Sequence, residues 1–85
     1  MSNQKFMKKL TEHQKAYIKI ALEMVMNLNN EGKQVWLEFS PHVAKVKVNY
    51  FQAEDDLVCK DFDFDEVWTI GNYIFSISDK IYNNY

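Results

Sequence analysis

The sequence predicts an α+β domain of order α-β-β-β-α, a three-stranded antiparallel meander with both helices packed on one face. Three observations predict it. Apolar side chains recur at three- and four-residue steps near both ends of the chain, the spacing of an amphipathic helix. Between them the period falls to two, as in half-buried strands, and turn residues divide that middle region into three runs. A layer of two helices on a small sheet is a stable arrangement at this length. Residues 1–85 are therefore read as a single domain, with residues 1–9 either frayed or an extension of the first helix.

In residues 10–28 the stripe is Leu10, Tyr17, Ala21, Met24 and Leu28, widened by Ile18, Leu22 and Val25. Thr11 with Gln14 three residues later has the form of a capping box. Asn29, Asn30 and Gly32 supply residues that tolerate the left-handed conformation used to close a helix. From Gln34, Val35, Leu37 and Phe39 fall on one face and Trp36, Glu38 and Ser40 on the other, which predicts the first strand.

A turn at residues 40–43, with Pro41 where its fixed φ fits, leads to a second strand in which Ala44, Val46, Val48 and Tyr50 alternate with Lys45, Lys47, Asn49 and Phe51. That connection sets Leu37 opposite Val46 and Val35 opposite Val48 inside, with Glu38 opposite Lys45 and Trp36 opposite Lys47 outside. A second turn at residues 52–55 puts Leu57 and Cys59 of a short third strand inward, and Val58 and Lys60 on the open face. Residues 67–82 return to helical spacing through Val67, Ile70, Ile74, Ile77 and Ile81, flanked by Trp68, Phe75 and Tyr82. Gly71 lowers helix propensity by about 1 kcal/mol, so burial must hold this helix.

The stretch DFDFDEVW, residues 61–68, is the most unusual in the chain. Asp63 as N-cap and Glu66 as N3 make a capping-box pair, with Phe62 and Val67 placed as the hydrophobic staple. Asp65 and Glu66 also suit the positive end of the helix dipole. Asp61, Asp63 and Asp65 match the first ligand positions of an EF-hand loop, but Glu66 stands where the turn glycine belongs and Asn72 where the bidentate glutamate should close the site. No metal is expected there. Capping does not account for the number of acids: Glu54, Asp55, Asp56, Asp61, Asp63, Asp65 and Glu66 fall within thirteen residues.

Composition narrows the function. Cys59 is the only cysteine, so no internal disulfide can form, and a reducing, cytoplasmic setting is expected. Cys59, His13 and His42 do not make a zinc set, and Cys59 reads as a small core residue. The two glycines, Gly32 and Gly71, stand too far apart for a phosphate loop. No catalytic pair and no cofactor signature is present, so the chain is not expected to be an enzyme. No apolar run approaches the roughly 20 residues of a membrane span.

Net charge is −2, yet residues 1–50 carry eight Lys against four acids and residues 51–85 two Lys against eight acids. All ten basic residues are Lys, which removes the planar guanidinium fork of phosphate and guanine recognition. The element order resembles that of the double-stranded-RNA-binding domain in topology. That family carries a lysine cluster at the start of its second helix, where this chain has Asp63, Asp65 and Glu66, so the resemblance extends to fold alone.

The functional expectation is a small acidic protein-binding module acting as an inhibitor or immunity-type partner. A phage-type anti-defence inhibitor that covers the basic groove of a nucleic-acid enzyme suits the charge layout. Glu54, Asp55, Asp56, Asp61 and Asp63 supply the charge, and Phe51, Phe64 and Trp36 the anchors. Two alternatives use the open sheet face. A nucleic-acid-binding module would use Trp36, Lys45, Lys47, Phe51 and Lys60, although the missing arginines argue against nucleic acid as a partner. A homodimer would join exposed Trp36, Phe51 and Val58 with Tyr82 and Tyr85.

Overall fold

Thr11 caps the first helix. In the computed structural model, which describes residues 9–83, its hydroxyl accepts from the Gln14 N–H at 3.1 Å while the Gln14 amide oxygen accepts from the Thr11 N–H at 3.0 Å. This capping box opens α1, Glu12–Asn30. A continuation of α1 through residues 1–8 lies outside the described residues, as does Tyr85.

The helix closes in a Schellman motif: the Gly32 N–H donates to Asn29 O at 2.9 Å and the Lys33 N–H to Leu28 O at 3.0 Å. Gly32 has φ 89°, a region that a side chain disfavours. The Asn29 amide then donates to the carbonyls of Lys33 and Val35, both at 2.9 Å, and so ties the end of α1 to the start of the sheet.

Strands β1 (Val35–Ser40), β2 (Lys45–Ala53) and β3 (Asp56–Asp63) form one antiparallel sheet in the order β1-β2-β3. β1 and β2 are joined by a 3₁₀ turn, Pro41–Val43, and Ala44, which has φ 55°. The chain then continues through a 3₁₀ stretch, Phe64–Thr69, into α2, Ile70–Ile77. The expected helix over 67–82 is thus shorter in its α part and is entered through a tighter coil that begins at Phe64. Asp63 and Glu66 do form the predicted capping box, with the Glu66 carboxylate accepting from the Asp63 N–H at 3.4 Å. Beyond α2 the chain returns to the sheet: the Tyr82 N–H donates to Phe51 O at 2.6 Å, and Lys33 and Asn83 make an isolated antiparallel bridge.

The layer order is the predicted one, with helices packed against one side of the sheet. Ala21 and Val25 of α1, Val35, Val46, Val48 and Phe62 of the sheet, and Val67, Ile70, Ile74, Ile77 and Ile81 make one continuous core. The isoleucine row is fully engaged: Ile70 and Ile74 have no accessible surface.

Two registers differ from expectation. Between β1 and β2, Val35 pairs with Tyr50 and Leu37 with Val48, two residues along from the predicted pairing, because the four-residue connection spans 41–44 rather than 40–43. A two-residue shift keeps every side chain on its face. Between β2 and β3 the phase itself is reversed. A bulge between Phe51 and Ala53 adds one residue to β2 before the Glu54-Asp55 turn, so Tyr50 pairs with Val58, Val48 with Lys60 and Val46 with Phe62. Val58 and Lys60 therefore lie on the helical side, while Leu57 and Cys59 are on the open side. Cys59 is exposed, not a core residue.

Replacing Ile74 with alanine should lower stability by roughly 2–5 kcal/mol in urea unfolding, as for a buried branched side chain. Ser76→Ala, on the exposed face two residues on, should stay within about 0.5 kcal/mol of the parent.

Candidate protein-interaction surfaces

The reversed phase of β3 redistributes the acidic residues. Asp61 now lies opposite Lys47, and Asp63 opposite Lys45, on the open face of the sheet. The Lys45 ammonium donates to the Asp63 carboxylate at 2.6 Å. That hydrogen bond, followed by the charge of Asp63, holds the Lys45 pKa above its ordinary value. Glu38 sits opposite Lys47 on the other flank and accepts from the amide of buried Asn49 at 3.2 Å. Cross-strand pairs of opposite charge thus cover the middle of this face. Of the lysines expected there, Lys45 and Lys47 stand opposite carboxylates, and Lys60 is on the other side of the sheet.

Glu54, Asp55 and Asp56 are placed differently. They form the exposed tip of the β2–β3 hairpin, where Glu54 and Asp55 make the turn and Asp56 stands opposite Ala53 rather than a lysine. Among the described residues the ion pairs join Lys15 to Glu12 and Lys45 to Asp63, and the tip carboxylates take part in neither. Asp56 accepts from the Gln52 amide at 2.5 Å. Beside the tip, the rings of Trp36 and Phe51 pack at 5.9 Å and 42°, with Trp36 37% exposed. The structure therefore gathers Glu54, Asp55, Asp56, Phe51 and Trp36 of the expected site at one end of the sheet. It separates Asp61 and Asp63, which face lysines.

Phe64, expected among the exposed anchors, is placed inside. It is buried and stacks on Phe39, with ring centroids 5.6 Å apart and planes 4° apart. The alternation of DFDFD is that of a strand running into a helix cap, with Phe62 and Phe64 inward and the aspartates outward.

On the helical side, the Lys60 ammonium lies 5.3 Å from the Phe62 ring centre and 5.8 Å from that of Tyr73, within cation–π range. Burial, and then the charge and hydrogen bond of Tyr50, push the Tyr73 phenol up to about 12.

A second apolar surface was not foreseen. Tyr17 and Ile20 of α1 and Trp68, Gly71 and Phe75 of the C-terminal helical run line a groove of about 360 Å³, with Met24 at its floor. Its four largest side chains are far from covered: Tyr17 is 43%, Ile20 54%, Trp68 59% and Phe75 77% exposed. The seven-residue spacing of Trp68 and Phe75 placed them on one side of the helix, but periodicity does not say whether a face is covered. The available signal was on α1, whose apolar arc from Ile20 to Leu22 is wider than one contact with the sheet requires.

Comparison with protein-family models, curated proteins and solved structures finds no match to this chain. No helix among the described residues is long and apolar enough to cross a membrane. No group of three or more His, Cys, Asp or Glu side chains among them is gathered as a metal site.

The Tyr73 phenol gives a pH signature. Its folded pKa lies above the value of 10 for a free tyrosine, so the neutral form is favoured in the fold. That contribution is complete below pH 10, declines as the unfolded chain ionises, and is lost as pH rises to about 12. Urea unfolding across this window should show stability falling, and Tyr73→Phe should flatten the slope.

Proposed function

We propose that the chain is a small protein-binding module that acts by occupying a basic surface on its partner, as an inhibitor or immunity-type protein does. The observation that supports this most directly is the β2–β3 end of the molecule. Three carboxylates without lysine neighbours project there beside a half-exposed pair of aromatic rings. Unscreened carboxylates raise the encounter rate with a positively charged partner, and a neighbouring tryptophan is the side-chain type that most often anchors an interface.

The two parts have different tasks. Charge at an exposed tip acts at a distance and sets the association rate, whereas the Trp36–Phe51 pair acts on contact and sets the lifetime of the complex. The sheet lysines fit this reading poorly as phosphate contacts, because their cross-strand neighbours are carboxylates. An inhibitor that works by coverage needs a rigid scaffold behind its contact end, and β2 and β3 are paired without a break from Lys45–Asp63 to Phe51–Leu57.

The test uses the chain as bait in extracts of the source cells, at salt concentrations of about 0.1 M and 1 M, where the screening length is roughly 10 Å and 3 Å. The retained protein is then measured against the parent chain and the triple variant Glu54→Gln, Asp55→Asn, Asp56→Asn. Association with the parent should fall with salt, and the variant should bind at least about tenfold more slowly with little salt dependence. Trp36→Ser should leave the association rate unchanged and speed dissociation. Equal rates and equal salt dependence for parent and triple variant would overturn the reading.

A further inference from the structure

We infer that a second copy of this chain docks on the groove between α1 and α2, about a two-fold axis that sets the helices of the two copies antiparallel. This surface is separate from the acidic hairpin end, so the inference stands or falls independently of the partner proposed above. Three observations carry it.

The first is area. A large aromatic side chain buries roughly 150–250 Å². Applied to the exposed fractions of Tyr17, Trp68 and Phe75, that range gives on the order of 270–450 Å² of uncovered side-chain surface. Ile20 adds to it. A stable interface needs about 800 Å² from each partner, so the groove supplies around half of one side before its rims are counted. Because a two-fold contact uses the same patch twice, one groove is sufficient for both halves.

The second is Gly71. It lies in the middle of the groove between Trp68 and Phe75, one helical turn from each. Its conformation is helical, and a Cβ placed on it would meet only the Met24 sulfur, at 3.6 Å, an ordinary contact. The fold therefore has no need of glycine at this position, although glycine weakens a helix. What the missing side chain does create is a dent flanked by two projecting rings. An identical surface turned through 180° presents such rings to that dent, as knobs enter holes between packed helices.

The third is direction. Along the groove, Tyr17 and Ile20 lie beside Trp68 and Gly71, while Leu28 and Glu31 lie beside Ser78 and Asp79. The two helices thus run parallel, and their C-terminal ends converge with Glu31 and Asp79 at the same end of the molecule, where the Lys33 ammonium donates to Ser78 O at 2.7 Å. Neither helix has a basic residue in its last turn. Parallel dipoles reinforce one another, and an antiparallel pair from a second copy opposes them. An approach with all four helices parallel would instead bring like ends and like carboxylates together.

Sedimentation equilibrium over a wide range of protein concentration reads the association, and urea unfolding at low concentration reads the fold. The parent chain should be dimeric at high concentration. Phe75→Glu should raise the dimer dissociation constant by at least about 30-fold, the loss expected of a central anchor, and leave monomer unfolding unchanged. Gly71→Ala should separate the two properties: the monomer unfolds at higher urea while the dimer dissociates more readily. Orientation is read by disulfide formation in a Cys59→Ser background. Asn72→Cys, near the middle of the groove, should cross-link two copies, and Asp79→Cys, at its end, should not. A parent chain that stays monomeric at every concentration would overturn the proposal. So would a dimer that survives Phe75→Glu but is broken by Trp36→Ser, and cross-linking through Asp79→Cys would refute the antiparallel arrangement.

Discussion

The fold depends on the burial of one row of side chains, Val67, Ile70, Ile74, Ile77 and Ile81, against Val35, Val46 and Val48 of the sheet. Neither partner is self-sufficient. α2 has eight residues, several of them β-branched and one a glycine, and a helix of that composition does not persist alone in water. A three-stranded sheet likewise needs a covering layer. Each supplies the apolar surface the other lacks, and α1 completes the seal through Ala21 and Val25. The 3₁₀ stretch before α2 follows from this arrangement, since Phe64 and Val67 must both reach the core within one turn of leaving β3.

Both helices, the layer order and the caps were legible because each rests on local chemistry. Thr11 with Gln14, Asp63 with Glu66, and Gly32 after two asparagines are signals confined to a few residues. The phase of β3 was not legible. The run from Leu57 to Lys60 alternates equally well in either phase, and the bulge that decides between them carries no glycine or proline. The deciding residues were Phe62 and Phe64, whose alternation with Asp61 and Asp63 continues the strand to Asp63. The cap formed by Asp63 and Glu66 is compatible with either phase, so it does not by itself say which face of Leu57 to Lys60 is inward.

The same correction changes the electrostatic picture. Acids that are neighbours in sequence are not one surface: two of them stand opposite sheet lysines, Asp65 and Glu66 sit at a helix start, and three remain at the hairpin tip. Of the residues expected to share a surface, Glu54, Asp55, Asp56, Trp36 and Phe51 do lie at one end of the sheet. Phe64 was misassigned because exposure of an aromatic ring depends on strand phase. The α1–α2 groove escaped notice because burial is a property of what lies opposite a face, and one chain's periodicity does not contain that information.

The bulge between Phe51 and Ala53 is where this hairpin can shorten by a single residue. Gln52 stands opposite no residue of β3, and losing it would leave Ala53 opposite Asp56 and Phe51 opposite Leu57 across a regular two-residue turn. Every side chain from Leu57 to Asp63 would keep its face. A residue lost within β3 has no such outlet and would turn part of the strand over, setting an aspartate toward the isoleucine row or Val58 toward water.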